Sequence, residues 1–255
     1  MKKNFLTYRV QTDVLNIEIG AINAEINVVS TTEPVLFIEY TKAFAPSFDE
    51  AAGKVTLTQK KKAFSRFKVA SATVYVPEYN VPDVRIVTER GKLCISGGIY
   101  GDVQAHASKL KAEINAATFE NLMIKADELD VSAGEITVKN IANTLAADGR
   151  VEIDKAFCRR AECRVKKGNI GLCNYSCDFA VLNSENGNIA ANILGCESDY
   201  TVNLAGAAVS GKDNLSASGR SIRASAMRGS IVLDFENGPK FDERFENLAD
   251  EEVSV

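Results

Sequence analysis

Three cysteines recur at one constant interval in the second half of the chain: Cys158, Cys177 and Cys196. If each interval is one turn of a coiled chain, the three thiols reach the same position on three successive turns. Such thiols could bind a soft metal, but a zinc site needs four ligands and the lone His106 has no reason to lie near them. Two neighbours could also form a disulfide. Because cysteine is equally a small apolar residue suited to an inner stack, we predict a structural cysteine ladder with no metal and no cofactor.

Basic side chains cluster in two segments and could contact a polyanion such as nucleic acid, teichoic acid or lipid headgroups. The net charge of the chain is −4, which favours the simpler interpretation of solvated outer faces. We therefore expect no nucleic-acid partner. The candidate polyanion contacts are Lys60, Lys61, Lys62, Arg66, Lys68, Arg160, Arg164 and Lys166.

The residues that could perform catalysis are dispersed. His106 lies in the stretch GDVQAHAS, where the alternation predicts that its side chain points outward. No neighbouring residue in this stretch supplies a nucleophile or an acid that would orient the imidazole. Polysaccharide lyases and hydrolases built on β-helices need a dense cleft of acidic and basic residues, and the carboxylates here are scattered. We predict that the protein is not an enzyme. The alternative is a carbohydrate-active protein whose site is assembled from irregular N-terminal loops.

Seven glycines stand at the centre of a repeated pattern of alternating residues. Before Gly168, Cys163 and Val165 occupy alternate positions, and Ile170 and Leu172 do so after it. Alternation on both sides predicts two short strands, each with one buried face, joined at a glycine corner. The predicted corner glycines are Gly20, Gly91, Gly134, Gly149, Gly168, Gly187 and Gly229.

The spacing between Gly168 and Gly187 equals that between the cysteines and is long enough for two strands and two corners. A flattened β-solenoid fits this spacing, and so does a meander of β-hairpins, because Asp148-Gly149 and Asn186-Gly187 are typical type I′ turn sequences. The cysteine spacing favours the solenoid, since stacked turns repeat one side-chain type at one position. We predict an all-β fold, a single-stranded β-helix with two sheets and about 19 residues per coil.

One solenoid domain is expected over residues 1–236, with an irregular insertion at about residues 41–70. Residues 237–255 are expected to form a short capping helix with an acidic tail. This cap would cover the last strands, whose backbone groups would otherwise be unpaired. Three apolar residues at helical spacing support it: Phe241, Phe245 and Leu248.

The opening MKKNFLTYRVQTDV lacks the apolar core of a signal peptide, and no apolar run in the sequence is long enough to span a bilayer. We expect a cytoplasmic protein as the sequence stands, or a surface-associated one if an export signal has been removed.

Two stretches carry a resemblance to a known family. The stretch ATVYVPEYNVPDVRIVTERGKLCISGGIYGDV, residues 72–103, has a strand ending in Val-Pro, a short polar link, a strand, a glycine corner and a further strand. With the closing SIRASAMRGSIVLDFE, residues 221–236, it resembles the bacterial putative-adhesin, DUF4097-like family of β-strand-repeat proteins. The resemblance implies a two-sheeted β-helix with tight glycine turns, and no activity is firmly attached to the family.

These observations together predict a non-enzymatic scaffold. We expect it to bind a macromolecule or a carbohydrate through a long flat face, or to associate with copies of itself.

Overall fold

The computed structural model describes residues 3–10, 14–60 and 69–236. This part of the chain is almost entirely β-strand, and its one helical element is a single 3-10 turn at Glu197–Asp199. No helix within it has the length and apolar character needed to cross a membrane. The predicted capping helix at residues 237–255 lies outside the described residues.

The chain forms two compact units, residues 1–136 and residues 137–255. Unit 1 contains β1 (Lys3–Tyr8), β2 (Val14–Thr31), β3 (Leu36–Thr41), β4 (Phe44–Asp49), β5 (Lys54–Gln59), β6 (Ala70–Pro77), β7 (Val81–Ser96), β8 (Ile99–Asn115) and the first part of β9 (Thr118–Asn186). Unit 2 contains the rest of β9, β10 (Ile189–Leu194), β11 (Tyr200–Ser210) and β12 (Arg220–Glu236).

In unit 1, β2, β7, β8 and the first part of β9 pair in parallel, in that order. Val84 pairs with Val103, and Val103 pairs with Leu122, so β7, β8 and β9 follow one another at the interval that separates the cysteines. Parallel neighbours at a constant interval place like residues over like, because every turn repeats the same alternation. All three valine and leucine side chains are buried.

The strands bend at their centres, as β7 shows. Its residues alternate between buried and exposed up to Thr88, and after two exposed residues the alternation resumes at Leu93 with the opposite parity. Even-numbered residues therefore point inward in the first half of the strand and odd-numbered residues in the second half, with Gly91 at the bend. The core lies between these two sets of half-strands. Aliphatic side chains fill most of it, and Tyr100 and Phe119 are among its largest buried groups.

The N-terminal strands flank the two halves of β2. Its first half pairs in parallel with β5, which forms an antiparallel hairpin with the preceding strand β4. Its second half pairs in parallel with β6, followed by β3 and then β1 in antiparallel register. The predicted insertion at residues 41–70 therefore contains a hairpin, and residues 61–68 lie outside the described residues.

The strands also bend at a second set of corners, and four of these corners are formed by residues other than glycine. Ala116 and Glu135 in unit 1 have φ angles of 51° and 55°, and Lys155 and Asn174 in unit 2 have 54° and 51°. These non-glycine residues occupy the left-handed region, which costs about 1–2 kcal/mol for an ordinary L-residue. They recur at nearly the interval that separates paired residues of β7, β8 and β9, because these neighbouring turns bend at the same place.

In unit 2 the order of strands in space differs from their order in the chain. β10 pairs in parallel with β9, and Ile189 pairs with Ile170, so like residues lie side by side here as well. The next position is taken by β12, which pairs both with β10 and with the end of β9. β11 follows β10 in sequence but lies beyond β12, its partner. The last turns therefore depart from the simple winding that a constant interval predicts.

Candidate functional site

Four of the predicted corner glycines form a tight column in unit 2. A methyl carbon added to Gly168 would lie 1.6 Å from the carbonyl oxygen of Gly149. One added to Gly187 would lie 1.9 Å from the carbonyl oxygen of Gly168, and one added to Gly229 would lie 2.0 Å from that of Gly187. Each glycine thus leaves room for the backbone of the turn beside it.

The other three predicted corner glycines, all in unit 1, have different surroundings. A methyl carbon on Gly91 would lie 2.6 Å from the carbonyl oxygen of Ala24, whereas one on Gly20 would meet nothing within 4 Å. Gly134 pairs with Asn115. The repeated sequence pattern therefore covers positions with different steric requirements.

The predicted cysteine ladder is partly brought together. Cys158 and Cys177 are buried beside Tyr175, whose hydroxyl hydrogen-bonds the Cys158 thiol, and the buried Cys163 is part of the same cluster. Burial raises the pKa of Cys158 to about 11 and that of Cys163 to about 12, so these thiols stay protonated at neutral pH. Cys196 is exposed and follows the end of β10.

All six cysteines lie in the described ranges, and they are thiols that form no disulfide there. Within the residues that the structure describes, no three His, Cys, Asp or Glu side chains are arranged to hold a metal ion. Cys158, Cys163 and Cys177 lie among the buried side chains of the core, and the packing role of the ladder stays a prediction.

Four of the eight candidate polyanion contacts lie within the described residues. Arg160, Arg164 and Lys166 are exposed on β9, where Arg164 forms an ion pair with Glu162. Lys60 is exposed after β5. The remaining four, Lys61, Lys62, Arg66 and Lys68, lie outside the described residues. His106 is exposed on β8.

A polar depression of about 220 Å³ lies on the outer side of unit 1, beside the predicted insertion. Its lining consists mainly of outward residues from β2, β7 and β8: Asn16, Ile17, Glu18, Asp83, Val84, Arg85, Asp102 and Gln104. Three carboxylates thus converge here, which scattered positions in the sequence do not reveal. This convergence is the feature that the carbohydrate-active alternative requires.

The carboxylates of the polar depression already have partners in the fold. Glu18 forms an ion pair with Lys54 at 2.9 Å. Asp83 accepts a hydrogen bond from the backbone N–H of Asp102 at 2.8 Å, and Asp102 accepts one from the Asn121 amide at 2.7 Å. These bonds join successive strands, so the carboxylates act as ties between turns.

Three aromatic rings, which we call the aromatic row, cross β1, β3 and β6 on the outer face of unit 1. Phe37 and Tyr75 are cross-strand partners with ring centroids 5.4 Å apart. Phe5 stacks on Phe37 at 5.6 Å, with an interplanar angle of 19°. Phe5 is 57% exposed and the other two rings are half-buried. Adjoining aromatic rings that are partly exposed across three strands make this row a candidate binding surface.

Polar groups border the aromatic row. Lys3 forms an ion pair with Glu39, and this carboxylate raises the lysine pKa. Glu39 is the cross-strand partner of Thr73, whose hydroxyl accepts a hydrogen bond from the Asn27 amide at 3.2 Å. The row therefore combines flat apolar rings with neighbouring hydrogen-bonding groups, the combination that orients a ligand on a surface.

Sequence reasoning missed the aromatic row because its members come from three distant segments. The available signal was local: Phe37 stands between the buried Leu36 and Ile38, and Tyr75 between the buried Val74 and Val76. An aromatic residue at an outward position of a strand is the feature that the alternation could have revealed.

A charge cluster on β7 and β8 ties two turns of unit 1 together and leads to a prediction. Lys92 lies 2.7 Å and Lys111 3.0 Å from the carboxylate oxygens of Glu113. Their hydrogen bonds lower the pKa of Glu113 to about 2. Because the folded-state pKa is depressed, this contribution to stability is complete above pH 4.5 and is lost as the pH falls towards 2.

We expect Glu113→Gln to remove about 1 kcal/mol of stability at neutral pH, a figure reduced for solvent screening, and to flatten the loss of stability between pH 4.5 and pH 2. Urea denaturation across this pH range measures the effect. Glu89→Gln, at an exposed position of the same strand as Lys92, is the matched control. The prediction would be contradicted if Glu113→Gln lost as much unfolding free energy as the wild type between pH 4.5 and pH 2.

No curated protein matches this chain significantly. Three solved structures, each aligned over 92% of this chain, resemble it at low identity. A putative adhesin from Bacteroides fragilis is 14% identical, with a TM-score of 0.49 and 97% of its own chain covered. A putative cell adhesion protein from Clostridium sporogenes is 11% identical, with a TM-score of 0.27 and 100% coverage. A putative lipid binding protein from Parabacteroides distasonis is 9% identical, with a TM-score of 0.32 and 97% coverage.

The profile of one protein family covers nearly the whole sequence. It is the profile of Toastrack DUF4097, which matches residues 14–249. This chain belongs to the Toastrack (DUF4097) family.

Proposed function

We propose that this protein is a non-enzymatic β-solenoid scaffold that binds carbohydrate chains on the aromatic row. The scaffold is a two-sheeted coil with about 19 residues per turn, and the constant interval between paired residues of β7, β8 and β9 supports it. Such a stack holds outward side chains in fixed rows about 4.8 Å apart, which suits a ligand that is itself a chain of repeating units.

The observation that carries the proposal is the aromatic row itself. One face of a sugar ring is made of C–H groups and its rim of hydroxyls, so it packs on an aromatic ring while the hydroxyls bond to polar neighbours. Phe5 and Phe37 supply stacked rings, and Thr73 and Asn27 supply hydrogen-bonding groups beside them. The spacing of the rings, 5.6 and 5.4 Å, accommodates consecutive sugar units of a short oligosaccharide.

Other ligand classes fit the row less well. A nucleic acid or another polyanion needs cations that are available to it, and Lys3 is already paired with Glu39. A protein partner usually covers about 800 Å² of each surface with an apolar centre. The row is narrow and bordered by polar groups, which favours a thin, hydroxyl-rich ligand.

The enzymatic alternative is supported by the convergence of carboxylates in the polar depression. A glycosidase needs one carboxyl group free to donate a proton and another free to attack or to activate water. Here Glu18, Asp83 and Asp102 each hold a neighbouring strand through a hydrogen bond or an ion pair. This use of the carboxylates favours the binding role.

The test is a panel of immobilised neutral oligosaccharides and peptidoglycan fragments. We expect the wild type to bind a subset of them and Phe5→Ala/Phe37→Ala to lose at least about tenfold in affinity, because stacking groups of this kind contribute more than about 1.4 kcal/mol. Phe179→Ala removes an aromatic ring of similar exposure in unit 2 and is the matched control. Circular dichroism verifies that the variants are folded.

Three results would contradict the proposal. The first is binding that survives in Phe5→Ala/Phe37→Ala, and the second is no binding to any member of the panel. The third is the release of reducing ends by the wild type but not by Glu18→Gln, which would establish the enzymatic alternative at the polar depression.

A further inference from the structure

We propose that residues 237–255 dock on the open end of unit 2. The open end is defined here as the free edge of β11 at residues 205–210, together with the side chains of Leu204, Val209 and Leu215. The inference is independent of carbohydrate binding, since it concerns the other unit of the chain.

The edge of β11 that faces away from β12 is covered only along its first half. There Val202 pairs with Asn214, and the backbone N–H of Leu204 donates to the Asp213 carboxylate at 2.8 Å. Beyond this point no strand in the described ranges pairs with that edge, and residues 205–210 are exposed. An uncovered strand edge exposes unpaired backbone groups, which folded proteins normally cover.

Core side chains are uncovered at the same place. Val209 pairs with Ile231, which is fully buried, yet Val209 itself is 44% exposed. Leu204 is half-buried, and Leu215 on the adjoining segment is 89% exposed. The inner strands β10 and β12 each have a neighbouring strand on both sides. The outermost strand, β11, has one on a single side, so its apolar side chains are not covered by a further turn.

The sequence that follows β12 has the properties of the missing partner. β12 ends at Glu236, shortly after Val232, the partner of Ser210 at the end of β11. Glu236 itself pairs with Leu194 of β10, so the next segment starts one strand away from the uncovered edge, within reach of a few extended residues. Its attachment gives it a high effective concentration there. It brings three large apolar residues at helical spacing: Phe241, Phe245 and Leu248.

Charge and family membership favour the same occupant. Residues 237–255 contain six acidic and two basic side chains, and the last two strands of unit 2 and their link carry exposed cations at Lys212, Arg223 and Arg228. The family match continues beyond β12 to residue 249, so it includes all three apolar residues of the segment. A second copy of the chain has no comparable argument and is left as an outcome of the test.

The chain contains no tryptophan, so Phe245→Trp places a single fluorescent reporter in the segment. We expect blue-shifted emission and protection from acrylamide, because the indole would be buried against the open end. Val209→Asp and, separately, Leu215→Asp should shift the emission to that of exposed tryptophan. The matched control is Val232→Asp, which changes a valine of similar exposure on the outer face of β12 and should leave the emission unchanged.

Leu215 is almost fully exposed, so Leu215→Asp remains folded even if Val209→Asp does not. Hydrogen exchange of the amides at residues 205–210 gives a second readout: slow exchange in the intact chain and fast exchange in Phe241→Ser/Phe245→Ser. Solvent-like emission in the Phe245→Trp protein would overturn the proposal. So would protection that increases with protein concentration, since it would assign the open end to a second copy.

Discussion

Replacing Gly168 with alanine is expected to destabilise the protein by at least about 3 kcal/mol, a large fraction of the roughly 5–15 kcal/mol that keeps an ordinary domain folded. The added methyl carbon would lie 1.6 Å from the carbonyl oxygen of Gly149, and this atom belongs to the backbone of the neighbouring turn, which cannot move aside as a flexible side chain can. The φ angle of Gly168 is +138°, a conformation that alanine rarely adopts. Steric clash and backbone strain therefore act in the same direction.

Gly20→Ala is the matched control, because Gly20 was assigned the same role by sequence but has nothing within 4 Å of an added methyl carbon. We expect its free energy of unfolding to stay within about 1 kcal/mol of the wild type, since losing the flexibility of glycine in the unfolded chain offsets small local costs. Urea denaturation of both variants measures the difference. Equal effects at the two positions would show that the glycine column does not set the distance between turns.

The contrast between these glycines shows what the sequence could establish. Alternation around Gly168 predicts strands with one buried face, and the recurrence of the pattern at a constant interval predicts that turns lie side by side. How closely two backbones approach at a given corner depends on the neighbouring turn. A local pattern cannot distinguish Gly20 from Gly168, because the atoms that matter belong to another part of the chain.

Two other features were hidden for related physical reasons. The corners at Ala116 and Glu135 use left-handed backbone without glycine, so nothing in the composition of those turns marks them. The exchange in order between β11 and β12 arises from tertiary packing. A constant interval predicts that residues near 198–203 lie beside the end of β9, and Ser221–Ala226 take that position instead.

The exchange in strand order also explains the position of Cys196. The interval from Cys177 would place it on the next turn of the coil, but β10 ends at Leu194 and the chain then leaves for the outermost strand. A register shift between Ala191 and Ile193 adds to the displacement. Periodicity therefore predicts the interior of the stack better than its end, where a different neighbour determines each position.

The second large effect is expected at the ion pair that fixes β12 against β9. Arg220 Nε lies 3.2 Å from Asp178 Oδ1, and the two side chains are only 13% and 15% exposed. Arg220→Met should cost about 3 kcal/mol, because it removes the guanidinium charge that faces a largely buried carboxylate. Urea denaturation at neutral pH measures the loss.

The combined variant Asp178→Asn/Arg220→Met separates the ion pair from the packing of its side chains. Removing both charges should restore part of the loss, so that the coupling energy between the two positions exceeds about 1 kcal/mol. Arg150→Met is the matched control in the same unit, because Arg150 and Glu152 lie 3.1 Å apart with exposures of 54% and 53%. Such an exposed pair contributes less than about 1 kcal/mol. If Arg220→Met and Arg150→Met cost the same, burial does not strengthen the Asp178–Arg220 pair, and backbone pairing and apolar packing hold β12 in its position.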